Sequence, residues 1–508
     1  MHFPSILHPP SAAVCAIIAF LLLLPAVNND SIDMDEAQTW DYARLGTFSE
    51  FVAELRSDSA SEAQQPLGML AWWGWAKVFG TSEFAMRSIN WLWLAIALIP
   101  LGILGARLRL PWLPMLLAIQ PFVWYSMNHA RTPMMQVAAG ALLLLGIHTV
   151  FRDRQLRLPA VCILVTGAVI LCGASMLGLI PLATILIGLT LHIFWNRIHL
   201  PAVAKSIILA FGFFLTLLVL YYLTTLFRGA GGAKIWAVSP MNLLFVAYEF
   251  LGFQGLGPGR QELRAIIKGF VPAWEMLPFL PGLLALAAAY TLLAFAAYKS
   301  WLTKEFTTAR PSILHGRVWL LGVGVTIQSA LILFVLAWVV GFPFWGRHLA
   351  GVFPFWLVAI GLTLHWARQG IYRKAGRSAA WALIILLCIS SAFIRLGAFH
   401  RHDDYRSAAT EAKRLAAEGK SVWWVADHSG GAYYGLVLDP NIEPAQGRIS
   451  YALNLASPPS EPPDVIILSR PENFDRFGMA RKLISLNKHL PTQAFQAFAF
   501  WEISPTSR

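Results

Sequence analysis

Residues 158–196 contain no Asp, Glu, Lys or Arg. A helix that crosses a bilayer needs about 20 mostly apolar residues, so this stretch is long enough for two. The small residues Gly173-Ala174-Ser175 divide it. The rest of the chain repeats the pattern. Of its 508 residues 57% are hydrophobic and 13% charged, with a mean hydropathy of +0.58. A soluble domain carries roughly 25% charged residues. With half that charge, a chain of this length cannot cover itself in polar surface, which excludes a soluble enzyme and equally a disordered or collagen-like chain. The apolar runs predict eleven spans, at about 12–27, 85–106, 111–127, 132–151, 158–175, 176–195, 204–226, 276–298, 318–341, 348–366 and 378–397. The first lacks a basic leading segment and a small-residue cleavage site after Pro25, so it is expected to stay as an anchor rather than leave as a signal peptide. The 21 Trp and 32 Phe suit interfacial aromatic belts.

The net charge of +12 is not a nucleic-acid footprint, because of where it sits. Alternate short loops hold Arg107 and Arg109; Arg152, Arg154 and Arg157; Arg197 and Lys205; Lys299, Lys304, Arg310 and Arg317; and Arg368, Arg373, Lys374 and Arg377. These fifteen cations face only Asp153 and Glu305, and by the positive-inside rule that side is cytoplasmic. Eleven spans then place the N-terminus inside. Outside lie a first loop at 28–84, a second at 227–275, and everything after residue 397. The expected organisation is a membrane domain over 1–397 and a soluble extracytoplasmic α/β domain over 398–508. In the latter, Asp403 and Asp404 can cap a helix that Gly419 stops. Val422–Ala426 and Val465–Leu468 read as buried strands, 473–488 as a helix, and Phe495–Ile503 as a last strand. Cys15, Cys162, Cys172 and Cys388 lie in apolar runs without pairable spacing and read as free, buried thiols.

The first external loop is acidic, with ten Asp or Glu. Its densest point is Asp33-Met34-Asp35-Glu36, just after the first span. Three adjacent carboxylates resist simultaneous ionisation, so one pKa is expected to rise. Such a group can serve as a general base toward a hydroxyl acceptor or, with Asp35 and Glu36, hold a divalent metal. The plainer alternative is a helix N-terminus, where acids favour the dipole. Gln64 to Trp73 opens an apolar helix at Pro66 that is too short to span; it is read as lying along the outer surface. Arg87, Arg131 and Arg347 each stand at the outer end of a span. An arginine there can snorkel to headgroups or pair bidentately with a lipid-linked phosphate. Arg347 is the strongest candidate, being the one charged residue between Arg317 and Arg368. The glycine-rich stretches Phe227–Lys234 and Gly252–Arg260 are not P-loops, although glycine turns with a cation such as Lys234 can cradle a phosphate; a flexible linker with a re-entrant apolar helix at 241–253 is the alternative. No Gly-x-Ser-x-Gly, His-Glu-x-x-His or Cys-x-x-Cys is present.

The order of these segments resembles that of the GT-C membrane glycosyltransferases. An anchor precedes Asp35-Glu36-Ala37. Next come Gln65-Pro66-Leu67, Phe79 to Arg87, the turn from Pro121 to Tyr125 with Arg131, and Arg347-His348-Leu349 leading through Pro354 into a long apolar helix. The sequence is most similar to family 39 protein mannosyltransferases, lipid A aminoarabinose transferases and Rgt-type bacterial enzymes, over roughly residues 10–365. It departs from them at Gln64-Gln65-Pro66, where His-Pro-Pro is common, at His129, where an acid is common, and at Pro133, where Tyr is common. The resemblance implies a polyprenyl-phosphate sugar donor and a glycan, lipid or protein acceptor. It implies a role for Asp35, with Glu36 beside it, toward the acceptor or a metal, and for Arg347 and Arg131 toward the donor phosphate.

Two other classes compete. A transporter or flippase of lipid-linked glycans needs polar residues deep in the membrane, and the centres of the spans carry no charge. A scaffold gives no reason for three clustered acids at the membrane surface.

Overall fold

A computed structural model describes residues 11–58, 60–153, 157–198, 201–228, 238–259, 262–263, 273–302, 312–342, 344–369, 372–397, 400–438, 447–451, 462–469, 475, 477–487 and 491–503. It shows an α-helical polytopic membrane protein with a small C-terminal α/β domain. Among the described residues, eight helices are long and apolar enough to cross a membrane. In chain order the helices begin with α1 (Ala12–Leu23), α2 (Met34–Ala43), α3 (Phe48–Ser57), α4 (Pro66–Phe79) and α5 (Glu83–Arg107). Then come α6 (Leu113–Ala118), α7 (Pro121–Met127), α8 (Pro133–Asp153), α9 (Leu158–Ala174), α10 (Leu179–Trp195) and α11 (Ala202–Phe227). The membrane part closes with α12 (Met241–Phe250), α13 (Leu280–Leu302), α14 (Ser312–Val340), α15 (Phe353–Ala367) and α16 (Arg373–Leu396).

Three of the eleven expected spans take another form. Residues 111–127 are not one helix but α6 and α7, broken at Gln120. That residue precedes Pro121 and is extended, with φ −85° and ψ 122°, as the clash with a following proline ring demands. Helices α1 and α9 are apolar but shorter than the eight. The division expected at Gly173–Ser175 is where α9 ends, with Ser175 extended.

The core forms around α8 and the Gly346–Ala367 segment, each 83% buried over its most apolar window, whereas α11 is only 6% buried. In a bilayer the outward Leu209, Phe213 and Leu217 of α11 would meet acyl chains, which are as apolar as they are. The approach of α8 to the turn Gly346–Val352 depends on glycine: a Cβ on Gly140 would lie 2.0 Å from the Gly351 carbonyl oxygen. This contact seats the turn that carries Arg347. Helix α4, too short to span, packs one face against its neighbours. Trp72 is fully buried and donates to the Met86 carbonyl at 3.0 Å, and Trp73 donates to the Leu45 carbonyl at 3.0 Å. All four cysteines are free; Cys162 and Cys388 are exposed on helix faces rather than buried.

Past α16 lie α17 (Tyr405–Ala417), β1 (Val422–Val425), α18 (His428–Tyr433), β2 (Ile449–Tyr451), β3 (Val465–Ser469), α19 (Met479–Asn487), β4 (Gln493–Phe495) and β5 (Phe498–Glu502). The sheet order is β2-β1-β3-β5-β4; β1 runs parallel to β2 and β3, and β5 antiparallel to β3 and β4. Every residue of β1 and β3 is buried. Their continuous apolar runs are covered on one face by Tyr405, Ala408 and Ala412 of α17 and on the other by Met479, Ala480 and Leu483 of α19. Asp404 caps α17 and Gly419 follows it at φ +87°, as the sequence predicts. The last expected strand is instead a hairpin. Ala497 turns at φ +68° between β4 and β5, so 495–503 cannot run straight. The expected helix is found at Met479–Asn487; residues 473, 474, 476 and 488 lie outside the described residues.

Candidate active site

Asp33, Asp35 and Glu36 form the cap and first turn of α2. Asp33 is the N-cap: its Oδ1 accepts the Glu36 N–H at 2.9 Å, and Glu36 Oε2 accepts the Asp33 N–H at 3.1 Å. This reciprocal box satisfies two of the N–H groups that a helix start leaves without partners. It also sends the three carboxylates in different directions, toward three different sets of partners.

Glu36 points into the protein. Both its oxygens take Arg87, with Nε to Oε1 at 2.7 Å and Nη2 to Oε2 at 2.6 Å, and Oε1 also accepts the Ala130 N–H at 2.7 Å. Arg87 donates further to the carbonyls of Asn28, Asp30 and Ser31. Its side chain is fully buried, and its forked donors lash the loop from Asn28 to Glu36 onto α5. Arg131 pairs with Glu62, also buried, and donates to the Asp35 carbonyl at 3.1 Å and to Thr39 at 3.3 Å. Asp35 meets Arg347 across 312 positions of sequence. That pair alone is open among the arginine–carboxylate contacts of the cluster: its side chains are 17% and 18% exposed, against 1% or less for Arg87–Glu36. Asp33 Oδ2 meets two imidazoles, His129 Nε2 at 2.9 Å and His402 Nδ1 at 3.5 Å.

Electrostatics here run opposite to the expectation that one carboxyl is raised. Burial pushes all three carboxyls up, and the cations outweigh it. Arg347 and Arg131 hold Asp35 below the usual carboxylate range; His129 and His402 hold Asp33 well below it; Arg87 holds Glu36 down. Mutual repulsion among the acids is the smaller effect because each has its own positive partner. The imidazole of His402 is pulled down by burial and raised above its ordinary value by Glu36 and Asp33.

The residues named from the sequence therefore divide. Asp33, Asp35, Glu36, Arg87, Arg131 and Arg347 come together in one cluster. Lys234 lies outside the described residues, as do Gly229 and most of the glycine stretch around it. In the second glycine stretch, Gly255 N–H donates to Ser390 at 3.0 Å and the Gly252 carbonyl accepts from it at 2.7 Å. That backbone is committed to α16. For a divalent metal, Asp33, Glu36 and His402 place ligand atoms within 4.8 Å of one another, so the donor set is chemically suitable, although Glu36 already neutralises Arg87. Asp35, expected with Glu36 in such a site, faces Arg347 instead.

Sequence reading missed Glu62 and His402. Glu62 is one acid among ten in its loop. His402 lies in Arg401-His402-Asp403-Asp404, the first polar run after the last span, where only the helix cap was legible. Tyr125 was visible only as part of a turn; its ring stacks on His402 at 6.1 Å, with planes 9° apart.

No protein-family model matches this chain, and no curated protein does. Two solved structures are similar to it, both of ArnT from Cupriavidus metallidurans. The apo structure shares 11% identity at a TM-score of 0.46, and the structure bound to undecaprenyl phosphate 10% at 0.44; each comparison covers 96% of this chain and 97% of the other. At such identity and TM-score the likeness assigns no residue and no role.

Proposed function

We propose that this protein is a membrane glycosyltransferase that moves a sugar from a polyprenyl-phosphate donor to a hydroxyl acceptor on the extracytoplasmic face. The observation that carries the reading is the Asp35–Arg347 pair: a carboxylate and a guanidinium fork in direct contact, partly open, on a frame of buried ion pairs. The donor's phosphate is the stronger claimant for Arg347. When it binds, Asp35 loses its main cation, and burial then drives the carboxyl up toward useful base strength. The acceptor oxygen attacks the anomeric carbon and its proton passes to Asp35. The bond from that carbon to the phosphate oxygen breaks, and the polyprenyl phosphate leaves with the electron pair, its charge held by Arg347 with Arg131 behind it. Arg87 has its fork engaged by protein and acts as a strut. Asp33, Glu36 and His402 would be the residues to hold a divalent metal, which would supply positive charge to the cluster.

The test is a transfer assay in membrane vesicles with a panel of polyprenyl-phosphate sugars, at matched protein abundance. Arg347→Ala should weaken donor use roughly tenfold to a hundredfold, with only partial rescue by Lys because the fork is lost. Asp35→Asn should lower the rate by about 10²–10⁴ with little change in folding. Asp33→Asn keeps the capping oxygen but removes the charge that faces His129 and His402, and Glu36→Gln weakens the Arg87 strut, so their losses should appear largely in abundance. Full activity in both Arg347→Ala and Asp35→Asn would remove the pair from the reaction.

A further inference from the structure

The first turn of α2 is held from two bodies at once. His129 comes from the turn between α7 and α8, within the membrane part; His402 comes from the connection into the C-terminal domain. Both reach the same oxygen, Asp33 Oδ2, while Oδ1 caps the helix. His402 Nδ1 also lies 3.4 Å from Glu36 Oε2, and its Nε2 lies 3.5 Å from Asn128 Nδ2. The side chain is 4% exposed and its ring lies flat against Tyr125, which fixes its orientation. In sequence it stands two residues before Asp404, the cap of α17. Movement of the C-terminal domain therefore moves this imidazole.

The same domain grips the neighbouring loop by other contacts. Tyr434 Oη accepts the Ile32 N–H at 2.9 Å, Arg406 donates to Glu83 at 2.8 Å and to the Asn29 carbonyl at 2.7 Å, and Met34 packs against the domain's core. Met34 is itself in the first turn of α2, and Ser429 and Tyr433 meet Asp41 and Trp40 further along that helix; among these side chains His402 alone touches the carboxylates of Asp33 and Glu36. Asp35 is not in contact with His402 but rides the turn that His402 pins.

We propose that His402 is a positioning residue through which the docked C-terminal domain sets the first turn of α2, so that Asp35 meets Arg347 in register. The proposal rests on the transferase reading of Asp35. It gives the soluble domain a part in the chemistry without placing any of its residues on the substrate.

The test uses the full-length protein in lipid nanodiscs, comparing wild type, His402→Ala and His402→Gln by hydrogen exchange and by steady-state transfer kinetics. In His402→Ala the amides of Glu36 and Ala37 should exchange faster, and kcat should fall roughly tenfold with the donor KM changed by less than about twofold. Gln keeps a donor of similar reach and should restore most of kcat. Unchanged exchange at these amides overturns the proposal. So does faster exchange with normal kcat, or a loss seen only as lower abundance, since either makes His402 merely structural. A wild type that transfers no sugar sinks the transferase reading instead, and the exchange result then decides the His402 coupling by itself.

Discussion

Burial and neighbouring charge act together on the ionisable residues of this protein, and the sign of their balance differs from place to place. In the acid cluster the cations win and the carboxyls stay ionised. At Asp427, the cap of α18, burial wins: with Asp41 nearby and only the Gly430 N–H in its favour, the carboxyl is pushed up to about 7. The folded protein therefore holds a proton that the unfolded chain gives up near pH 4. Stability from this site is complete below that pH, declines as pH rises from there through about 7, and then levels off. Asp427→Asn keeps the capping oxygen and cannot ionise. It should raise the melting temperature at pH 8 while leaving it unchanged near pH 4. The gain is at most about 4 kcal/mol, because each tenfold difference in proton affinity between the folded and unfolded chain is worth about 1.4 kcal/mol. Thermal unfolding at the two pH values measures this, and an equal effect at both would assign the change to something other than ionisation.

Among the elements, the turn Gly346–Val352 matters most, because it holds Arg347 and is seated by one close backbone approach. Gly140 faces the Gly351 carbonyl where no Cβ fits. The two nearest atoms are backbone, so no side chain can swing aside. Gly140→Ala should cost about 1–3 kcal/mol as overpacking does, and it should lower transfer because the turn shifts against α2. Gly188 of α10 meets nothing within 4 Å, so Gly188→Ala is the matched control. Melting temperature and transfer rate of the two variants decide the matter; equal behaviour would show that the approach between α8 and the turn is not tight. The break at Gln120 belongs to the same scale. It separates α6 from α7, and beyond α7 Asn128 reaches Asp30 and His129 reaches Asp33, while Tyr125 lies parallel to the His402 ring.

At the scale of the whole molecule, the C-terminal domain and the first loop hold each other through Tyr434, Arg406, Glu83 and His402, so both must lie on one side of the membrane. The charge asymmetry of the opposite loops points to the extracytoplasmic side. A reporter fused after Arg508 should be extracytoplasmic and one fused after Arg373 cytoplasmic. Both reporters on the same side would contradict this orientation.

Hydropathy is a local property, read over about 20 residues, and for that reason the sequence alone determined the membrane class, most of the apolar helices, the C-terminal α/β domain and its two central strands. Charge patterning is nearly as local and picked out the Asp33–Glu36 cluster and the isolated Arg347; the resemblance alone singled out Asp35 within that cluster. Which partner each takes was decided only by tertiary structure. Glu36 finds Arg87 at a separation of 51 residues, Asp33 finds His129 at 96, and Asp35 finds Arg347 at 312. No window of sequence contains such pairs, and the sign of a buried carboxyl's pKa depends on them. Three neighbouring acids read in isolation repel one another; folded against separate arginines and two imidazoles, one of them from the connection to the end domain, each is ionised for its own reason.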